Sequence, residues 1–90
     1  MPVKVNLSPW FSHAAGGRET IHAIGRTIGE CLDEIDVEYP GVKEMILNEE
    51  GSVKSYILFL LNGENTYPEE LSKPVQDGDE ISLVILADGG

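Results

Sequence analysis

The spacing of apolar positions changes along the chain, and each change marks an element. Val3, Val5 and Leu7 alternate with Lys4, Asn6 and Ser8, the period of a strand with one buried and one wet face. Pro9 ends that strand. Trp10 and Phe11 follow in a loop that closes at Gly16-Gly17; the two aromatics either plug the end of the core or stand out as a partner anchor. Arg18 to Ile24 predicts a second strand, with Glu19, Ile21 and Ala23 on one face. The period then becomes helical. Ile28, Cys31, Leu32, Ile35 and Tyr39 form one apolar stripe, and Pro40-Gly41 closes the helix. Thr27-Ile28-Gly29-Glu30 reads as a capping box, with Thr27 accepting from the Glu30 N–H and Glu30 reaching back to Thr27.

Val42 to Leu47 fits a short second helix, and Asn48 to Ser52 a turn. Tyr56 to Leu61 predicts a third strand. Asn62-Gly63 is a hairpin-turn signal, and Thr66-Tyr67 a short fourth strand. Pro68 and Pro74 bracket a loop that Leu71 anchors inward. Asp77-Gly78-Asp79-Glu80 turns the chain into a last strand, Ile81 to Leu86. The fold class is α+β: a roll in which a mixed sheet of four to five strands packs on one main helix plus a short helix.

The third and last strands do not alternate. Side chains two apart share a face. If Phe59, Leu61, Ile81, Leu83 and Ile85 face the helix, then Leu58, Leu60, Val84 and Leu86 face outward, though the pattern alone permits the reverse. An outward apolar patch on neighbouring strands suits a partner surface; a homodimer contact or a cover by Trp10 and Phe11 are the other occupants.

Composition narrows the function. Ninety residues suit one domain with one core and leave too little for a deep catalytic cavity. The net charge of −10 argues against a nucleic-acid partner and for a basic protein surface. The acidic residues Glu30, Asp33, Glu34 and Glu38 lie mostly off the helix stripe, as a solvated or steering face. No apolar run approaches membrane-spanning length, and no signal peptide precedes the first strand. A lone cysteine forms no internal disulfide, so the expected compartment is the cytoplasm.

Catalytic chemistry finds no constellation. Cys31 lies in the apolar stripe among carboxylates, the setting of a buried structural thiol. His13 and His22 have no Cys or His at metal-ligand spacing, and His22 reads as a strand residue facing solvent or helix. No Ser/His/Asp set is evident. Gly16-Gly17 lacks the Lys-Ser/Thr of a phosphate loop. The chemically suggestive stretch is Ala87-Asp88-Gly89-Gly90. Read alone, the glycines are either a frayed end or a narrow tail with an unhindered carboxylate, able to reach at most roughly 14 Å from Ala87. On this reading residues 1–86 are the domain and 87–90 the tail.

Strand–strand–helix–strand–strand followed by Gly89-Gly90 resembles the ubiquitin-like β-grasp. Asn62-Gly63-Glu64 and Asp77-Gly78-Asp79-Glu80-Ile81 are similar to motifs of the MoaD/ThiS sulfur carriers. His13-Ala14-Ala15-Gly16-Gly17, Gly25-Arg26-Thr27-Ile28-Gly29 and Tyr39-Pro40-Gly41-Val42 look closest to its CysO-like members. The resemblance covers nearly the whole chain. It implies a carrier, not an enzyme, whose Gly90 is adenylated by a ubiquitin-activating-type enzyme and converted to a thiocarboxylate that donates sulfur. ATP and Mg²⁺ belong to that partner, and the carrier binds no cofactor or metal of its own. The acceptor would be a molybdopterin synthase large subunit, a cysteine-synthase-like enzyme or a thiamine-type pathway enzyme; on the MoaD branch the chain would be a small sulfurtransferase subunit. Alignment with the ubiquitin tail favours Leu58, Leu60, Val84 and Leu86 as the outward, partner-facing set. Asp88 departs from the small uncharged residue usual before the diglycine. The alternatives are a modifier joined to target lysines through Gly90 and a non-covalent ubiquitin-like binding module.

Overall fold

The computed structural model describes residues 2–86. Strand β1 (Val3–Asn6) leads into a one-turn helix α1 (Pro9–Ser12) and a 3₁₀ turn at His13–Ala15, then β2 (Thr20–Ala23). The main helix α2 (Ile28–Glu38) and the short α3 (Val42–Ile46) precede β3 (Ile57–Leu61), β4 (Glu64–Asn65) and β5 (Glu80–Ile85). The five strands form one sheet in the order β2-β1-β5-β3-β4. β1 and β5 lie parallel at its centre, and the other pairs are antiparallel. This is the α+β roll that the pattern predicts and the ubiquitin-like β-grasp that the resemblance implies.

The core lies between the helices and the inner face of the sheet. Val3, Val5, Ile21, Ala23, Ile57, Phe59, Ile81 and Leu83 point into it from the strands. Ile28, Cys31, Leu32 and Ile35 meet them from α2, as the stripe requires. Leu61 and Ile85 are half-buried against the same cluster, so the predicted parity of β3 and β5 holds.

Helix α2 starts where its orphan N–H groups find acceptors. Thr27 Oγ1 accepts from the Glu30 N–H at 3.1 Å. The Ile28 and Gly29 N–H groups donate to the Lys73 and Leu71 carbonyls at 3.0 and 2.9 Å. The loop between Pro68 and Pro74 is thus pinned to the helix by its backbone, and Leu71 packs half-buried on the core. The capping box departs from expectation by one residue. Glu30 Oε1 accepts from the Arg26 N–H at 3.0 Å, not from that of Thr27, and so holds the approach to the helix. At the far end, Asp36 Oδ1 accepts from the N–H groups of Gly41 and Lys43 at 3.1 and 3.0 Å, tying α3 to α2.

The segment after Pro9 is helical, not a loop, because the Ser8 hydroxyl accepts from the Trp10 N–H and Pro9 stands at the first helical position. Its aromatics divide: Phe11 is fully buried and Trp10 is not. Glu19 lies outside β2 and is exposed. The fourth strand falls at Glu64–Asn65, ahead of the expected Thr66-Tyr67. Asn62 and Gly63, at φ 51° and 87°, form a two-residue turn that pairs Leu61 with Glu64. Thr66 lies outside β4, and its N–H and hydroxyl both donate to the Phe59 carbonyl, at 3.2 and 2.8 Å.

Candidate functional site

β5 is the element that carries the chain toward Asp88, Gly89 and Gly90, which lie outside the described residues. It lies between β1 and β3: β1 pairs with its start, Glu80 to Ser82, and β3 pairs with it from Ile81 to Ile85, so its far end is held by β3. The Leu86 N–H donates to the Tyr56 carbonyl at 2.7 Å, extending the β3–β5 pairing up to the last described residue.

The outer face of the sheet is divided by chemistry. On β3 and β5, Leu58 pairs with Val84, and Leu60 lies beside Ser82, diagonal to Val84. Leu58, Leu60 and Val84 are half-buried, and Leu86 is exposed. The four residues expected to face outward therefore do so, and they share a face. Tyr56, two residues before Leu58 and opposite Leu86, joins them; its parity was readable, but its place next to the last strand's end was not.

The other half of that face is polar and internally bonded. Lys4 pairs with His22 across β1–β2 and with Glu80 across β1–β5. The Lys4 ammonium stands 3.8 Å from the Glu80 carboxylate. Asn6 Nδ2 donates to Glu80 Oε2 and to Ser82 Oγ, and Thr20 Oγ1 donates to Asn6 Oδ1 at 3.3 Å. These groups satisfy one another, which leaves the apolar half as the part of the face that gains from being covered.

The turn that launches β5 is fixed by Asp79. Its carboxylate accepts from the Gln76 N–H at 2.8 Å and from Asn62 Nδ2 at 3.1 Å, and these bonds hold its pKa below the ordinary carboxylate value. Asn62 Oδ1 in turn accepts from the Glu80 N–H at 2.9 Å. On the helical side, a hydrogen bond from Lys43 to Asp33 raises the lysine's pKa.

The Cys31 thiol is buried, and its pKa is pushed up to about 11, first by burial and then by Glu34 and Glu30. A thiol held protonated is a poor nucleophile. The cavity it lines, between α2 and the sheet, has a volume of about 10 Å³, no larger than one water needs. Among the described residues, no group of three or more His, Cys, Asp or Glu is placed to hold a metal ion. No helix among them is long and apolar enough to cross a membrane.

Fold and outer face together define a small ubiquitin-like β-grasp protein with an apolar surface beside the root of its last four residues. The profile of the ThiS family matches residues 5–90. The chain belongs to the ThiS family of ubiquitin-like sulfur carriers, small proteins that are not themselves enzymes. It is 23% identical to the sulfur carrier protein CysO of Mycobacterium tuberculosis over 93 residues, covering all of both chains. A chain of the Amycolatopsis orientalis BexX/CysO complex superposes with a TM-score of 0.89 at 26% identity, over 98% of this chain and 99% of that one. The small archaeal modifier protein 1 of Methanosarcina acetivorans follows at a TM-score of 0.79 and 29% identity, over 98% and 95% of the two chains.

Proposed function

We propose that the chain carries sulfur as a thiocarboxylate on Gly90. At neutral pH a terminal carboxylate, with a reference pKa of about 3.3–3.7, is ionised and a poor electrophile. A ubiquitin-activating-type enzyme supplies ATP and Mg²⁺. A Gly90 carboxylate oxygen attacks the α-phosphorus, and pyrophosphate leaves. A sulfide-level donor then attacks the acyl carbon and AMP leaves, so sulfur replaces one oxygen. The thiocarboxylate sulfur is delivered to a biosynthetic enzyme in the cytoplasm. Chemical candidates are a molybdopterin synthase large subunit, a cysteine-synthase-like enzyme or a thiamine-type acceptor. This chain's contribution is presentation: a rigid β5, a partner surface at Leu58, Leu60, Val84 and Leu86, and Asp88, Gly89 and Gly90 as the part that enters the partner.

The observation that carries this reading is the run from β5, paired with β3 up to Ile85, into Asp88-Gly89-Gly90 beside an uncovered apolar face. It is supported by kinship to the ThiS family and likeness to CysO. A second reading, conjugation to target lysines through Gly90, is favoured by the likeness to a small archaeal modifier protein. Intact mass of the chain purified from its native host tests both. A gain equal to one oxygen-to-sulfur exchange, lost when Gly90 is deleted, supports the carrier. Recovery of Gly90 only in isopeptide linkage to other proteins supports the modifier. An unmodified terminus, with no Gly90-dependent ATP–pyrophosphate exchange by the host's activating enzyme, overturns both.

A further inference from the structure

Among the described residues the carrier reading leaves Trp10, Ile24, Val37 and Tyr67 exposed and without a use, and Trp10 is the largest of them. Trp10, the single tryptophan of the chain, is 63% exposed, although its neighbour Phe11 is fully buried. Successive side chains on a helix diverge by about 100°, so a one-turn helix on the core's rim sends only one of two adjacent aromatics inward. Here Phe11 takes the core, and the indole stays in water, where its large apolar area gains nothing.

Its position is informative. β1 and β5 run parallel, with Lys4 beside Glu80 and Asn6 beside Ser82. Beyond Asn6 the chain passes through Leu7 and Ser8 into α1, on the side of the sheet toward which β5 also runs. Helix α1 therefore starts at the end of the sheet where β5 gives way to the last residues. Leu86 and Tyr56, opposite each other at that end, are 45% and 40% exposed. Four residues span at most about 14 Å. An enzyme acting on Gly90 thus stands within that distance of Leu86 and covers this end of the molecule. The net charge of −10 suits a partner whose apolar pocket has a basic rim.

We infer that Trp10 is an anchor for the adenylating enzyme: its indole enters an apolar, basic-rimmed pocket on that enzyme while Gly90 occupies the adenylation site. This rests on the reading of Gly90 as the activated carboxylate. Tryptophan is enriched among residues that dominate interfaces, and an anchor remote from the reacting atoms acts on KM and not on kcat.

The test uses the full chain, its Trp10→Ala and Trp10→Phe variants, and the activating enzyme purified from the native host by its Gly90-dependent ATP–pyrophosphate exchange. The KM for Trp10→Ala rises about tenfold or more, Trp10→Phe recovers part of the loss, and kcat changes less than about twofold. Chain labelled with 5-fluorotryptophan gives one fluorine resonance, which shifts or broadens when the enzyme is added. The melting temperature of Trp10→Ala stays near that of the parent. An unchanged KM with an unmoved fluorine signal, while the parent is active, overturns the assignment and leaves the Gly90 reading standing. Loss of sulfur delivery alone, with normal activation, assigns Trp10 to the acceptor and overturns it too. Melting lowered as far as in Phe11→Ala makes Trp10 a core residue. Absence of Gly90-dependent exchange by the parent overturns both readings.

Discussion

Gly29→Ala sets local propensity against tertiary packing, and the two predict opposite signs. Alanine is favoured over glycine inside a helix by about 1 kcal/mol. Gly29 is the second residue of α2, so propensity alone makes the substitution stabilising. The packing reverses this. A Cβ at Gly29 would stand 2.8 Å from the Leu71 carbonyl oxygen and 3.4 Å from the Leu71 Cβ. The nearer atom is backbone, which cannot rotate aside, so the loop must retreat by several tenths of an ångström. That retreat breaks the Gly29 N–H bond to Leu71 and strains the Ile28 N–H bond to Lys73, 2.9 and 3.0 Å long in the native fold. Each is worth about 1 kcal/mol net. Partial withdrawal of the Leu71 side chain from the core costs about 1 kcal/mol more. Against the propensity gain, the net loss is about 2 kcal/mol, or roughly 8–16 °C in melting temperature for a domain of this size. Thermal and urea unfolding followed by far-ultraviolet circular dichroism measure it. An alanine variant as stable as the parent, or more so, refutes the close approach of loop and helix.

Further predictions concern the surface and the buried thiol. Leu60→Glu leaves the melting temperature within a few degrees, because Leu60 is on the outer face, and weakens binding to the activating or acceptor enzyme by about 1 kcal/mol or more; a collapsed melting temperature places Leu60 in the core, and unchanged affinity moves the docking face elsewhere. Asp88→Ala folds normally and changes the rate or the choice of activating enzyme; equal kinetics across partners sinks that role. Cys31 resists thiol reagents at pH 8 until the chain unfolds. Its pKa is raised from 9.0 to about 11 in the folded chain, so the fold holds its proton more tightly than the unfolded chain does. That contribution to stability is therefore complete below about pH 9 and is lost as pH rises toward 11. Cys31→Ser removes this alkaline loss, and an identical alkaline profile for the two proteins contradicts it.

Local pattern settles whatever depends on a few neighbouring residues. Alternation places Val3, Val5 and Leu7 inward, the helical stripe places Ile28, Cys31, Leu32 and Ile35 inward, and Asn62-Gly63 specifies its turn. Each is a periodicity or a backbone requirement spanning a few neighbours, and each acts before the chain is folded. The outward set Leu58, Leu60, Val84 and Leu86 was legible only as one of two parities, since a strand apolar on both sides carries no mark of which side is wet. Tertiary structure decided that choice by setting β5 between β1 and β3 and α2 over one face. It also decided matters that depend on residues far apart in the chain. The Asn62 turn displaced the fourth strand by fixing the register with Leu61. The Leu71 carbonyl made Gly29 a packing requirement across 42 residues of sequence. The one-turn helix after Pro9 separated two adjacent aromatics, burying Phe11 and leaving Trp10 in solvent. No local pattern distinguishes those two side chains, because only the position of the core, built by strands and a helix from the rest of the chain, gives inside and outside a meaning.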